Sequence, residues 1–132
     1  MLKLIKIINS GVNVPEPVRL PKDDAAIVAG AALVFAAGKA NYATTGEKPT
    51  HVSLSASGEG EKTVLCYEIH DNMIFEAPVL ALPTSISVGD KLALATAGGA
   101  PIGLSATTAG GVATVISTDG ACVEGDTVSF KF

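Results

Sequence analysis

Short apolar stretches separated by glycine and polar residues recur along the whole chain. No longer run combines a 3.6-residue hydrophobic period with a cap and helix-forming side chains. The alanine-rich residues 25–40 contain Gly30, Gly38 and several β-branched side chains, which favour turn and strand over helix. The pattern therefore predicts strands throughout. They are expected at residues 2–8, 12–21, 32–36, 41–44, 50–56, 63–70, 73–78, 91–96, 102–107, 112–117 and 127–132.

Turn-forming residues occupy the gaps between these stretches. Asp71-Asn72 predicts a tight hairpin between the strands at 63–70 and 73–78, and Gly98-Gly99 and Gly110-Gly111 predict further hairpins. Many short strands at close spacing are typical of barrels and sandwiches. The fold class is accordingly all-β, a small β-barrel or β-sandwich of short antiparallel strands.

The first 24 residues are expected to form an extended N-terminal arm or first strand, followed by a β-barrel domain at residues 25–132. Pro15, Pro17 and Pro21 cannot lie in a central strand, because proline has no ladder donor. Two interpretations of the aliphatic stretch that precedes them remain open. It adds a strand to the sheet edge of a neighbouring chain, or it is the first strand of this chain's own barrel.

A weak repeat links three segments, residues 27–33 (IVAGAAL), 86–92 (ISVGDKL) and 122–128 (CVEGDTV). Each has an apolar residue, a glycine three positions later and then an aliphatic residue. This pattern predicts a turn in which glycine takes a positive φ, followed by a strand that runs into the core. The unequal spacings exclude a solenoid, so the repeat indicates barrel architecture and no particular function.

Composition limits the classes of function. The chain has 132 residues, suited to one domain, and is 48% apolar but only 5% aromatic, which predicts a thin core of small side chains. Charged residues make up 17% against roughly 25% in soluble domains. Either another chain covers part of the surface, or the protein is a stable barrel with few charged side chains on its surface. The net charge of −4 and the lack of a basic cluster argue against nucleic acid. No membrane span or secretory signal is found.

Candidate chemistry is sparse, and each candidate has a simpler structural explanation. Cys66, Glu68 and His70 alternate on one predicted strand, but a metal site needs three or four well-placed ligands. Neither Cys66 nor Cys122 has a nucleophile elbow beside it; both are expected to be buried free thiols, with a disulfide the less favoured alternative.

The acidic pairs are expected to be solvated turn residues. They are Asp23-Asp24, Glu59 with Glu61, and Glu124 with Asp126. The glycine-rich residues 56–61 lack the lysine and helix of a phosphate loop. The sequence therefore predicts a protein that is not an enzyme and has no catalytic, metal or cofactor site.

Three stretches, residues 72–78 (NMIFEAP), 88–94 (VGDKLAL) and 110–116 (GGVATVI) leading to 125–132 (GDTVSFKF), resemble the small decoration, or cement, proteins of tailed-phage capsids. The resemblance covers about two-thirds of the chain, from about residue 25 onward, and the proline-containing arm has no counterpart in it. It implies a virion protein on the outer capsid surface, made in the host cytoplasm, that bridges subunits of the major capsid protein. It also implies self-association, often as a trimer.

The predicted function is therefore that of a virion structural protein that stabilises a capsid through repeated weak contacts and strand addition by the arm. Two alternatives stay open: another virion β-protein, from a tail tube or baseplate, and a small β-sandwich that binds a ligand such as a carbohydrate. The residues expected to contact the partner are Leu2, Leu4, Ile5, Ile7, Pro15, Pro17 and Pro21.

Overall fold

A computed structural model describes residues 1–8, 15–81, 86–106, 109–118 and 125–132 of the chain. Every regular element in these residues is a β-strand, which confirms the predicted all-β class. No helix in this part of the chain is long and apolar enough to cross a membrane. The strands are β1 (Lys3–Ile7), β2 (Val18–Pro21), β3 (Ala32–Ala36), β4 (Lys39–Tyr42), β5 (His51–Ser53), β6 (Thr63–Glu68), β7 (Met73–Ala81), β8 (Lys91–Ala97), β9 (Ala100–Ser105), β10 (Ala113–Ser117) and β11 (Thr127–Lys131).

The strands form two sheets. The five strands β2–β6 lie in the order β2-β6-β5-β3-β4, and a parallel bridge between Lys22 and Ala40 brings the ends of this sheet together. The strands β7–β11 lie in the order β7-β11-β10-β8-β9, and parallel pairing of β7 with β9 closes them into a barrel. We call β2–β6 unit 1 and β7–β11 unit 2. Strand β1 is added to unit 2, antiparallel to the first half of β7.

Unit 1 and unit 2 are two tandem copies of one topology, because replacing β2–β6 by β7–β11 in order converts one strand order into the other. Their hydrogen bonds coincide as well. The amide of Gly30 donates to Ser53 O at 2.8 Å, and the amide of Gly89 donates to Val115 O at 2.9 Å. Three further pairs of bonds match in the same way: Ser53 N to Ala31 O with Val115 N to Asp90 O, Thr50 N to Leu33 O with Val112 N to Leu92 O, and Lys22 N to Lys62 O with Val79 N to Asp126 O.

The predicted glycine turns are present at all three positions of the repeat, with φ of 70° at Gly30, 93° at Gly89 and 94° at Gly125. The first two are equivalent turns, one in each unit, 59 positions apart. The turn at Gly125 precedes β11 and lies elsewhere in the topology. Two of the three copies of the sequence repeat therefore mark the duplicated unit. The third copy, at Gly125, is not equivalent to them, which explains the unequal spacing.

Two of the predicted hairpins are wrong. Asp71-Asn72 joins β6 to β7, which lie in different sheets, and Gly110-Gly111 joins β9 to β10, which do not pair. Local turn residues mark where the chain reverses but do not select the strand it then pairs with. Gly98-Gly99 does form the predicted hairpin, between β8 and β9. A further hairpin joins β3 to β4 through Ala37-Gly38, where both residues have positive φ.

The molecule has two hydrophobic clusters. The larger fills unit 2 and is centred on Phe75 and Phe130. The smaller lies inside unit 1 and consists of five buried residues, Ile27, Leu33, Ala40, Val64 and Cys66. Strand β3 serves both, because its side chains alternate: Leu33 packs in the smaller cluster, while Ala32 and Val34 pack in the larger one.

Residues 1–24 supply one strand to each sheet, since β1 pairs with β7 and β2 pairs with β6. The structure thus supports the second interpretation of the aliphatic N-terminal stretch, in which it is a strand of the chain's own sheet. The division of the chain at residue 24 stays a prediction from the sequence.

Candidate interaction surfaces

Leu2, the first of the predicted contact residues, is buried in the chain's own core with 2% of its surface exposed. Its amide donates a hydrogen bond to Gly30 O at 2.8 Å, which anchors the N-terminus to unit 1. This side chain therefore packs inside the molecule and is not available to a partner in this conformation.

The other predicted contacts on β1 differ in exposure. Leu4 and Ile7 are half-buried and pack against the larger cluster. Ile5 is exposed and lies at an irregularity in the pairing with β7, between Leu4 and Lys6. Bulges and lysines are features that protect sheet edges from pairing with other chains. The outer edge of β1 is thus poorly suited to adding a further strand.

The prolines protect the edge of β2 in a different way. The pairing of Lys22 with Lys62 sets the alternation of the ladder, so the amides of Val18 and Leu20 face β6 and those of positions 17, 19 and 21 face outward. Pro17 has no amide hydrogen to offer there, and neither has Pro21, which lies next to the bridge from Lys22 to Ala40 of β4. Both are exposed, while Pro15 is half-buried. Because β2 is the end strand in the order of its sheet, the prediction that these three prolines do not lie in a central strand is confirmed.

An apolar groove of about 170 Å³ runs between the N-terminus and unit 1. Met1, Leu4, Leu54 and Tyr67 are among its lining residues, and Met1 and Leu54 remain 58% and 39% exposed. We call these four residues the N-terminal face. The sequence predicted Leu4 as a contact but not Leu54 or Tyr67, because these two lie just after β5 and in β6, and only the topology brings them beside β1.

A second groove, of about 450 Å³, lies between the start of β2 and the junction of β1 and β7. Ile7 and Pro15, two predicted contacts, line it together with Glu68 and His70. Glu68 Oε2 and His70 Nε2 lie 3.8 Å apart and both side chains are largely exposed. Cys66 is buried in the smaller cluster and does not join them. Within the residues that the structure describes, no three His, Cys, Asp or Glu side chains converge on a metal position.

The titratable groups inside the fold have structural partners. Cys66 is a free thiol whose pKa is raised to about 11 by burial, which opposes formation of a reactive thiolate. Burial also lowers the pKa of His51, whose Nδ1 lies 2.8 Å from Thr50 Oγ1. Cys122 and Glu124 lie outside the described residues.

Lys22 is buried with 4% exposure and donates from Nζ to three backbone carbonyls, those of Asp23 at 3.0 Å, Ala25 at 2.9 Å and Gly58 at 3.1 Å. The acidic pair beside it is engaged in exposed ion pairs, Asp23 with Lys39 and Asp24 with Lys62. Lys62 also lowers the pKa of Asp24 by hydrogen bonding and charge. These groups hold one end of unit 1 together, and a lysine engages each of the two carboxylates.

By its fold, the chain is a small β-protein made of two tandem five-stranded units. Apolar faces and grooves are the main features of its described surface. No protein-family profile matches the chain, and no curated protein sequence matches it. Among solved structures, the chain is similar to the N base of the head fiber protein gp8.5 of bacteriophage phi29. The TM-score is 0.57 at 16% identity, over 89% of this chain and 94% of that one. At this identity the likeness shows a shared fold.

Proposed function

We propose that this chain is a non-enzymatic structural protein of a phage virion, located on the outer surface of the head. The observation that carries the proposal is the fold shared with the phi29 head fiber N base, which extends over nearly the whole of both chains. The resemblance of residues 72–78, 88–94 and 110–132 to phage decoration proteins supports the same class through different features. A shared fold alone does not define function, so the surface must supply the mechanism.

The N-terminal face is the surface that best fits attachment to a shell. It presents exposed aliphatic groups, Met1 and Leu54, beside the ring of Tyr67. Lys3 lines the same groove, with Glu76 opposite it on β7, and Lys6 is exposed further along β1, so two lysines and one glutamate border the face. Such a surface fits an apolar patch rimmed by carboxylates on the major capsid protein.

Attachment through side chains agrees with the protected edges of the sheets. The bulge and lysines of β1 and the outward prolines of β2 both oppose strand addition. Of the contacts expected from the sequence, Leu4, Ile5, Ile7, Pro15, Pro17 and Pro21 remain proposed contacts, and Leu54 and Tyr67 join them. Self-association, as a trimer for example, would multiply individually weak contacts on a repeated lattice.

Co-sedimentation tests this function. The purified chain is mixed with shells of its own phage that lack it, and the shells are pelleted. Saturable binding is expected, and it should weaken in Leu54→Lys, because a charge in the apolar groove cannot be paired. Thr96→Lys, an exposed position on unit 2, provides the matched control. A chain that stays in the supernatant at saturating concentration contradicts the proposal.

A second candidate function, a small ligand-binding module, is favoured by the groove of about 450 Å³. Its size falls in the range of small-molecule sites. The described lining residues include no Phe, Tyr or Trp, which disfavours a carbohydrate platform. They are Ile7, Pro15, Glu16, Val18, Glu68, His70, Asn72 and Met73. A saturable small ligand together with no shell binding would support this function instead. A chain recovered with tails and not with heads would indicate a tail component.

A further inference from the structure

The two equivalent glycine turns differ in what covers them. In unit 1, the N-terminus lies on the turn: the Leu2 amide donates to Gly30 O at 2.8 Å, and a Cβ built on Gly30 would lie 2.4 Å from Met1 Cβ. Leu54, on the adjoining strand end, lines a groove with Met1 and Leu2. The molecule thus shows how a turn of this kind accepts an extended aliphatic segment.

None of the residues that the structure describes covers the matching turn of unit 2. Gly89 donates to Val115 O as Gly30 does to Ser53 O, yet a Cβ built on Gly89 would meet nothing within 4 Å. Val88 is 65% exposed, and Ile116, the counterpart of Leu54, is 39% exposed. Within the described ranges of the chain, no donor is found for Gly89 O. We call Val88, Gly89 and Ile116 the Gly89 face.

We propose that the Gly89 face is a docking site for an extended aliphatic segment of a different protein. The segment repeats on unit 2 what Met1 and Leu2 do on unit 1. One of its amides donates to Gly89 O, and an aliphatic side chain packs between Val88 and Ile116.

The chain's own N-terminus cannot serve as the donor from a second copy. Leu2 is 2% exposed and its amide is already bonded to Gly30 O, so each copy uses this segment internally. Asp90 Oδ2 accepts from the Ser87 amide at 2.9 Å, which holds the turn in its present shape. Because the N-terminus is used internally, the donor is an aliphatic segment from another chain.

Titration with a peptide tests the site directly. The probe is the heptapeptide MLKLIKI, which copies residues 1–7 and is the segment seen on the equivalent turn. It is added to the isotope-labelled full chain at up to about 1 mM while amide resonances are followed by NMR. The expected result is saturable shifts of Val88, Gly89 and Ile116. The same peptide with Leu2→Asp should bind about tenfold more weakly or not at all.

Two variants separate the site from its covered counterpart. Ile116→Lys should abolish the shifts at the Gly89 face, whereas Leu54→Lys, at the equivalent position of unit 1, should preserve them. Shifts confined to residues 73–76, where added peptide replaces β1, overturn the proposal, and so does the absence of any shift. Shifts of the Gly89 face that depend on chain concentration without peptide also overturn it, since the occupant is then a second copy. None of these outcomes depends on shell binding, so this proposal and the proposed function can fail separately.

Discussion

Unit 1 and unit 2 have the same strand order, yet they bury different side chains. Where unit 2 places Phe75 opposite Phe130, unit 1 places Val18 opposite Cys66. The phenylalanine rings of unit 2 lie 6.0 Å apart between centroids, and Phe132 packs 5.0 Å from Phe130. Unit 1 has no comparable ring pair in its own cluster of Ile27, Leu33, Ala40, Val64 and Cys66.

The comparison separates what sets the topology from what sets the stability. The backbone hydrogen bonds of the glycine turns and strand ends are the same in both units, although the buried side chains differ. The same strand order and turn hydrogen bonds are therefore compatible with two different sets of buried side chains. The buried side chains differ most near the end of the first strand of each unit, β2 and β7. There unit 1 buries Lys22 and unit 2 buries Val79.

The largest expected effect tests whether the core of unit 2 contributes more to the free energy of unfolding than the core of unit 1. Phe130→Ala removes a fully buried ring that contacts Phe75 and Phe132, and it should lower the free energy of unfolding by about 3–5 kcal/mol. Cys66→Ala, at the matching position of unit 1, removes a single sulfur atom and should cost about 1 kcal/mol. Urea unfolding followed by circular dichroism measures both. Similar losses in the two variants would show that the cores contribute equally.

The next effect concerns the buried cation of unit 1. Lys22→Val copies the side-chain type of unit 2, but it leaves the carbonyls of Asp23, Ala25 and Gly58 without their donor. Because unsatisfied buried acceptors cost about 1–3 kcal/mol each, we expect a loss of at least about 2 kcal/mol. The measurement is again the urea midpoint. Lys62→Met is the matched control, since its ion pair with Asp24 is exposed and should contribute less than about 1 kcal/mol.

The sequence was sufficient for the strands but not for their pairing. Each predicted strand corresponds to one in the structure, and the segment at 32–36 has the predicted bounds. Alternation and turn residues act locally, so they are readable from the chain. The roles of Asp71-Asn72 and Gly110-Gly111 depend on which distant strand lies beside the next one, and this is set by packing of the complete core.

The candidate surfaces were predictable to a lesser degree. The aliphatic pattern of β1 identified Leu4 and Ile5, but it could not show that Leu2 points into the core. Leu54 and Ile116 were missed because an isolated exposed aliphatic residue resembles a core residue in sequence. Their significance follows from the equivalent hydrogen bonds of the two units, which only the structure reveals.

A third prediction concerns the pairing of the first and last strands, which closes each unit into a barrel. Unit 1 closes through Lys22 and Ala40, and the matching residues that close unit 2 are Val79 and Leu104, which adjoins Gly103. A Cβ at Gly103 would lie 2.6 Å from Leu80 Cγ and 2.9 Å from Pro78 O. Gly103→Ala should therefore cost about 1–3 kcal/mol through overpacking of β7 against β9. Gly58→Ala, where the nearest atom is 3.7 Å away, should change the thermal midpoint little by comparison. Equal shifts would show that the close approach is not the cause.

The smallest expected effect is a pH dependence of stability caused by His51, a residue of unit 1. His51 pairs with Leu33, whereas the matching residue of unit 2, paired with Leu92, is Ala113. The Thr50 hydroxyl accepts from the Phe35 amide at 3.0 Å and lies 2.8 Å from His51 Nδ1. Burial lowers the pKa of His51, and His70 lowers it further, while Glu68, across the strand pair, acts in the opposite direction.

Because the pKa of His51 is lower in the folded chain than in the unfolded one, the unfolded state binds the proton first as the pH falls. Stability should therefore be fully present above about pH 6.5 and decline below it. Urea midpoints measured between about pH 7.5 and pH 5.5 should show this slope in the wild type and in His70→Gln, whose side chain is exposed. The slope should be reduced in His51→Gln. A slope that persists unchanged in His51→Gln would assign the pH dependence to groups outside the core of unit 1, and the two units would then respond alike to acid.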